Sequence, residues 1–461
     1  MKKILILSGI ILSIFLIIIL NCQQPTSGGG GGSSGDNDGE SLRVTRVSAG
    51  FIHSVVLLNN GTVKCWGNNF YGQLGYGDTN NRGDEPGEMG DNLPTVNLGS
   101  VRSVNQIAAG GYHTLARLDD ASIKCWGNNE YGQLGYGDTE DRGDEPGEMG
   151  DNLLSVQFGL NRKAVQIAAG LHHTVVHLDD GSVKCFGRNQ YGQLGIESNE
   201  NIGDEPGEMN TDLYDAKLTG GIVKNVAAGD HHTVVLFYNG TVKCWGNNTF
   251  GQLGYGDTED RGDEPGEMGD ALPTVDLGTG RTAVQITAGS DFTAVLLDDG
   301  TVKCWGRNHD GQLGYGDTNA RGYIAGQMGD SLPAVNLGTG RYAVQIAAGG
   351  YHVLALLNGD GLMKCWGWNL YGQLGYGDTN NRGDNAGEMG NNLSLVNWGL
   401  TTPLMQIAVG AQHSILLTGD GTGRVKCWGR NLDGQLGYGN TETRGDGPGE
   451  MGNDLPFVSL W

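Results

Sequence analysis

The sequence predicts an all-β fold: a seven-bladed β-propeller of four-stranded antiparallel blades. Three observations carry this. The stretch Val63-Lys64-Cys65-Trp66-Gly67 returns as KCWG at Cys125, Cys244, Cys304, Cys365 and Cys427, and as KCFG at Cys185, with successive cysteines 60, 60, 59, 60, 61 and 62 residues apart. A near-constant period of this length means one supersecondary unit that cannot bury its apolar face alone and stacks on its neighbours. Within each unit the apolar runs are short and β-branched or aromatic, with turn residues between them, which is strand chemistry rather than the 3.6 period of a helix. The two chain ends are also complementary. The first unit starts without an LPTV-type strand, and the chain stops on Leu455-Pro456-Phe457-Val458-Ser459-Leu460, an LPTV-type strand with nothing after it.

The second unit shows the order of elements. Val104 to Gly110 is followed by His113 to Leu118, then Ile123 to Gly127, then Gly132-Gln133-Leu134-Gly135, a loop, and Leu153 to Phe158. Asp-Gly or Asn-Gly separates the second and third runs in most units, as at Asp180-Gly181, Asn239-Gly240 and Asp299-Gly300. These residues accept positive φ, so the pair reads as a β-hairpin. The LPTV-type run supplies a fourth strand, and four-stranded sheets repeated radially make a propeller. The count closes when the C-terminal strand joins the N-terminal three in one blade, which removes the open edge. The 83 glycines among 461 residues fit many tight turns. Repeat architectures escape the usual limit on domain size, so residues 44–461 are expected to be one domain.

The pattern AAG-x-x-HT, L-x-x-DG-x-V-x-x-WG-x-N and GQLG resembles the repeat of the regulator of chromosome condensation family. Seven copies of GQLG, from Gly72-Gln73-Leu74-Gly75 to Gly434-Gln435-Leu436-Gly437, carry the resemblance over nearly all of the chain after Val44. It implies a seven-bladed propeller and speaks weakly about function, because one fold hosts unrelated tasks. Some secreted bacterial members bind and inhibit enzymes, which points to protein binding. Eukaryotic members bind chromatin or the GTPase Ran, and the charge of this chain opposes carrying that over.

Ahead of the repeats, Lys2 and Lys3 precede an apolar run from Ile4 to Leu20, then Asn21-Cys22. This is similar to a bacterial lipoprotein signal, with residues 1–21 removed and Cys22 lipidated. Asn21 stands where that signal wants a small residue, and an uncleaved N-terminal anchor is the other reading. Residues 22–43 contain five consecutive glycines, Gly28 to Gly32, and serines, the composition of a flexible tether. The expectation is an exported protein held at the bacterial cell envelope, an outer membrane or the cell surface, through an N-terminal lipid.

The seven repeat cysteines occupy one strand position in seven blades, too far apart for a bridge. Relatives of the family carry a second cysteine two residues after the repeat histidine, where this chain has Val55, Leu115, Val175, Val234, Ala294, Leu354 and Ile415. Cys65 and its equivalents are therefore read as buried thiols. No CxxC pair or Cys-His spacing supports zinc. His53, His113, His173, His232, His352 and His413 each follow the AAG glycine by three residues, and Phe292 replaces the histidine in unit five. A residue recurring six times is expected to fix the AAG turn through a backbone hydrogen bond rather than to perform catalysis. Trp66 and its equivalents read as core aromatics.

The loops carry the functional information. Seventeen residues separate GQLG from the LP strand in every unit, the first running from Tyr76 to Asn92. Their charges are −4, −6, −6, −6, −1, −2 and −3, a total of −28 in a chain of net −23. The first four loops hold −22 of it. In an antiparallel blade these loops and the AAG-x-x-HT turns share a face, while Arg102, Arg162, Lys163, Arg281 and Arg341 lie on the other. An acidic rim repels nucleic acid and anionic lipid and attracts a protein with a basic surface. The candidate contacts are Asp84, Glu85, Asp141, Asp144, Glu145, Glu205, Asp260, Asp263 and Glu264.

Arg-Gly-Asp occurs in five of these loops, at Arg82, Arg142, Arg261, Arg382 and Arg444. It reads either as an adhesion tripeptide or as a turn whose Arg and Asp offset neighbouring charges. Asp78, Asp84, Glu85, Glu88 and Asp91 could supply oxygen to Ca²⁺, although their spacing matches no EF-hand or nonapeptide pattern. No other cofactor is indicated. GxSxG, HExxH and P-loop motifs are missing from the sequence. The expectation is a monomeric binding module without chemistry of its own. The competing class is a hydrolase or lyase acting on extracellular polymer in the propeller channel.

Overall fold

Each VQIAAG, HTVV and VKCWG run is a strand. The computed structural model describes residues 41–100, 102–159, 162–209 and 213–461. The signal-like run, Cys22 and the Gly/Ser stretch up to residue 40 lie outside the described residues. Strands β1 (Val44–Ala49), β2 (His53–Leu58) and β3 (Val63–Gly67) form the first sheet, with β2 in the middle and both pairings antiparallel. Six further three-stranded sheets repeat it, ending with β19 (Leu404–Val409), β20 (His413–Thr418) and β21 (Val425–Gly429). The middle and third strands are almost wholly buried, so they read as continuous apolar runs. First strands show one buried residue in three, with a bulge between Val44 and Arg46 and at each equivalent place.

The fourth strand expected in each blade is not a ladder strand. The LPTV-type segment runs extended beside the third strand of its own unit and makes one backbone bond to it, Val96 N–H to Val63 O at 2.8 Å. Proline, present in four of the seven segments, has no N–H to extend that ladder. The C-terminal segment follows the same rule. Val458 N–H donates to Val425 O at 2.9 Å in the last sheet, so it is not handed to the first sheet as a strand. The first unit nevertheless grips it. Gly90 N–H donates to Ser459 O at 3.0 Å, and the Lys64 ammonium donates to Leu460 O at 2.5 Å and to Gly90 O at 3.1 Å. Lys124 grips Leu98 O and Gly150 O in the same way one unit later. Val458 and Leu460 share an apolar cluster with Val44, Val47, Trp66, Ile415 and Leu417, which joins the last sheet to the first.

Neighbouring sheets are tied by a relay that explains the motif. Thr114 Oγ1 donates to Gln73 O at 2.8 Å, which uses its one proton. His53 Nε2–H must therefore be the donor in the 3.0 Å contact with Thr114 Oγ1. Trp126 Nε1–H donates to the same Gln73 O at 3.0 Å. Histidine, Thr or Ser, Trp and the Gln of GQLG thus form one unit of structure across a sheet boundary. The relay recurs from His413 to Ser54 and Gln435 O, between the last sheet and the first. The expected backbone bond from the histidine ring is replaced by this side-chain bond to the next sheet. Backbone only ties Gly50 N–H to His53 O. The AAG glycine has a packing reason, since a Cβ on Gly50 would lie 2.2 Å from His53 Cε1.

Burial pushes the imidazoles of His53, His113, His232, His352 and His413 down to about 3, and His173 well below its ordinary value. Between pH 6.5 and about 3 the unfolded chain binds protons that the folded chain refuses. Stability is therefore complete above pH 6.5 and falls as the pH drops, by up to about 1.4 kcal/mol per pH unit for each histidine. Calorimetry should show a steep loss of melting temperature from pH 7.5 to pH 5; an unchanged melting temperature would contradict neutral latches. Deleting Leu455 to Trp461 removes three buried side chains, each worth roughly 1.5–3 kcal/mol. Urea unfolding of that variant should shift by more than about 5 kcal/mol, and a midpoint equal to wild type would contradict the grip of the first unit on this segment.

Candidate functional site: the acidic loop face

Each seventeen-residue loop is packed on itself by its own polar groups. In six units it opens on a tyrosine, with Ile196 in that place in the third, and in the first unit the Tyr76 hydroxyl accepts from Cys65 N–H at 3.0 Å and donates to Cys65 O at 2.9 Å. It returns to the strand end where Gly67 and Arg82 exchange backbone bonds of 2.8 and 3.1 Å. The Arg82 guanidinium holds Asp78 at 2.7 Å and lies 5.4 Å from the Tyr76 ring centroid. Glu88 Oε2 accepts from Gly83 N–H at 2.8 Å and Glu85 N–H at 3.0 Å. The same contacts hold Glu148, Glu208, Glu267 and Glu388. Gln327 Oε1 takes this place in unit five, where the loop charge falls to −1.

The predicted contact residues therefore divide. Glu85, Glu145, Glu205 and Glu264 are exposed at the loop tips. Asp84, Asp144 and Asp263 are half-buried, and each has a buried Oδ1 without a hydrogen-bond partner. Burial, then the adjacent glutamate carboxylate, raises all three, Asp144 to about 6. Asp141 and Asp260 are structural acceptors, each taking the backbone N–H of Asn129 or Asn248 at 2.7 Å. The formal loop charge is thus an upper bound, and its effective part sits on the tip glutamates.

Sequence reasoning missed what lies inside this rim. The two residues between the AAG glycine and the repeat histidine, together with residues after WG, bring aromatic rings together around the AAG turns. Phe51 stacks on Tyr112 at 5.8 Å and Tyr112 on His172 at 6.0 Å, while Tyr71 and Tyr131 meet these rings edge-on. Tyr71 also walls a cleft of about 490 Å³ with Asn128, Glu130 and loop-two residues including Glu140, Asp141 and Asp144. The signal was present as Tyr or Phe before GQLG in five units, but in sequence it looked like packing.

The comparisons with known proteins agree with this architecture. Residues 33–262 match the RCC1-like domain, and residues 239–296 and 299–356 match the regulator of chromosome condensation (RCC1) repeat. The chain is 31% identical over 341 residues to the ultraviolet-B receptor UVR8 of Arabidopsis thaliana, covering 74% of this chain and 68% of the receptor. The chain belongs to the RCC1-like repeat family. It is also 30% identical to the human probable E3 ubiquitin-protein ligase HERC4, but spans only 33% of that protein. Prp20p of Saccharomyces cerevisiae superposes with a TM-score of 0.60 at 19% identity, covering 87% of this chain and 85% of Prp20p, which shows the RCC1 propeller fold.

Within this RCC1-like propeller three further sequence readings find their place. Arg82 of the first Arg-Gly-Asp is engaged by Asp78 and Tyr76, and Gly83 is buried with its N–H on Glu88. The tripeptide is a loop-building device in this arrangement. For calcium, Asp78 and Glu88 are already committed, and among the described residues no three His, Cys, Asp or Glu side chains converge on a metal position. The seven repeat cysteines are buried free thiols, and burial raises them. The histidine relay is intact between units four and five, where His232 meets Thr293, and is broken between units five and six. Phe292 replaces the histidine, Val353 replaces its Thr partner, and the two share one apolar cluster. Beside that break Asp230 is pushed up to about 7 by burial and by the Asp291 carboxylate.

Proposed function

We propose that this RCC1-like propeller is a protein-binding module of a bacterial cell envelope, with no chemistry of its own, and that its acidic loop face receives a partner with a basic surface. The observation that carries the reading is the placement of charge. Tip glutamates stand free in the loops of units one to four, whereas the arginines Arg102, Arg162 and Arg281 are paired with hairpin aspartates. Relatives support binding as the family's mode. The yeast Prp20p structure is described with its binding to Gsp1p and histones, and UVR8 is named as a receptor. Neither partner is carried over to this chain. A net field of one sign raises the association rate of an oppositely charged protein more than it lowers the dissociation rate.

The same reading makes the seven sheets, each with its extended fourth segment, a ring shut without covalent bonds where Lys64 and Ser54 of the first unit meet Leu460 and His413 of the last. It makes residues 1–21 a lipoprotein signal, Cys22 the lipid attachment and residues 22–43 a tether.

A partner recovered from envelope extract with the propeller as bait should associate about tenfold more slowly with Glu85, Glu145, Glu205 and Glu264 changed to Gln, and with a shallower salt dependence. These four side chains make none of the loop-building bonds, so folding is preserved. Equal rates at both ionic strengths would place the binding surface elsewhere. Metabolic labelling with a palmitate analogue should mark the wild-type protein, and Cys22→Ala should move it to the soluble fraction; a variant that stays labelled would refute the anchor.

A further inference from the structure

The sevenfold repeat presents the Tyr71 cleft several times with small chemical changes, and two of those changes show what fills it. The wall position Tyr71 is Tyr131, Tyr191 and Phe250 in the next three units, and the residue facing it from the following unit is Asn128, Arg188, Asn247 and Arg307 in turn. At two of these four places the residue is arginine, and there its guanidinium lies over the aromatic wall. Arg188 stands 5.0 Å from the Tyr131 ring centroid and Arg307 stands 5.8 Å from that of Phe250. Each guanidinium also finds an acceptor two residues on, Gln190 Oε1 for Arg188 and His309 Nδ1 for Arg307. A cation near a ring face that also has a hydrogen-bond acceptor is a favourable, geometrically specific arrangement.

Opposite Tyr71 the residue at this register is asparagine, while the neighbouring acceptor is a carboxylate. Asn128 is short and turned to its own unit, with Nδ2 at 3.4 Å from Asp141 Oδ1 and Oδ1 accepting from Gln133 at 2.6 Å. The acceptor two residues on is Glu130, a carboxylate rather than the amide of Gln190. Asp144, with its unpartnered Oδ1, and Glu145 complete the lining. An aromatic wall and carboxylates are left without the cation that two sister sites contain. We propose that this cleft receives an arginine side chain of the bound protein, its guanidinium over the Tyr71 ring and against the Glu130 carboxylate. The proposal rests on the protein-binding reading of the acidic face and locates its anchor. The tip glutamates draw the partner in, and the Tyr71 cleft holds it.

The probe is the tripeptide Gly-Arg-Gly with blocked ends, titrated into the full propeller by ligand-observed NMR, beside its citrulline and lysine counterparts. Citrulline keeps the shape and removes the charge; lysine keeps the charge and removes the planar fork. The arginine peptide should bind, and the citrulline peptide should bind at least about tenfold more weakly. Tyr71→Phe should keep the affinity and Tyr71→Ala should lower it by about the same factor. The decisive variant is Asn128→Arg, which fills the cleft from within as Arg188 fills the next one. The chain folds with arginine at this register in units three, five and seven, so the variant should fold and lose the peptide. Asn68→Arg, the same charge change in the first unit, should leave binding intact. Equal binding of the citrulline or lysine peptide, or undiminished binding to Asn128→Arg, would overturn the assignment. The reading of the acidic face would stand apart from that result, because it is tested by the salt dependence of the partner itself.

Discussion

The architecture depends on a buried hydrogen-bond relay at the sheet boundaries. A histidine gives its Nε2–H to a Thr or Ser of the next sheet, and that hydroxyl gives its proton to the Gln carbonyl of GQLG. A tryptophan indole gives its N–H to the same carbonyl. Four recurrent residue types are thereby explained by one constraint, that buried polar groups need partners. Each bond adds only about 1 kcal/mol net, but leaving one partner unsatisfied costs the full desolvation of that group. The pairing is therefore all-or-none, and unit five shows the consequence. Phe292 and Val353 have changed together, so the boundary becomes apolar instead of keeping an orphan hydroxyl or imidazole.

This constraint also positions the functional face. The relay fixes the AAG turns and the GQLG turns against each other, and those turns are the base from which the acidic loops rise. A Cβ on Gly72 would lie 2.3 Å from Asp144 N, so loop two sits directly on the GQLG turn of unit one. Rigid sheets carrying long loops are the usual division of labour between stability and binding. Here the loops are rigid as well, because Arg82, Asp78 and Glu88 build them from within. Ordering such loops when a partner arrives therefore costs little conformational entropy.

Lysine has a comparable part at the same sheet boundaries. Lys64 and its equivalents stand in the most apolar run of the repeat, yet Lys64, Lys124, Lys303, Lys364 and Lys426 each reach two backbone carbonyls, one in the loop of their own unit and one in the preceding LPTV-type segment. Burial lowers the ammonium groups of Lys64, Lys124, Lys303, Lys364 and Lys426, and the nearby aspartates Asp91 and Asp151 oppose that for Lys64 and Lys124. A lysine mid-strand is thus a clamp on a segment that lacks a hydrogen-bonded ladder of its own.

The repeat alone determined the seven units, their strand order, the hairpins and the burial of Trp66 and Cys65, because short β-branched and aromatic runs between turn residues and a period of about sixty leave few other folds. It also determined where charge concentrates, since the acidic loops are contiguous in sequence. Only the tertiary structure decided which polar groups remain available. Asp84 and Glu85 are adjacent in sequence, yet one is half-buried against Glu88 and the other is exposed. The fourth strand failed to form as a ladder because one backbone bond per segment is all the geometry offers. The partner of His53 sits 61 residues away, and Tyr71 meets Asn128 across a sheet boundary. Such contacts join units that a linear reading treats as equivalent copies, and only stacking in space shows which side chain of one copy faces which side chain of the next.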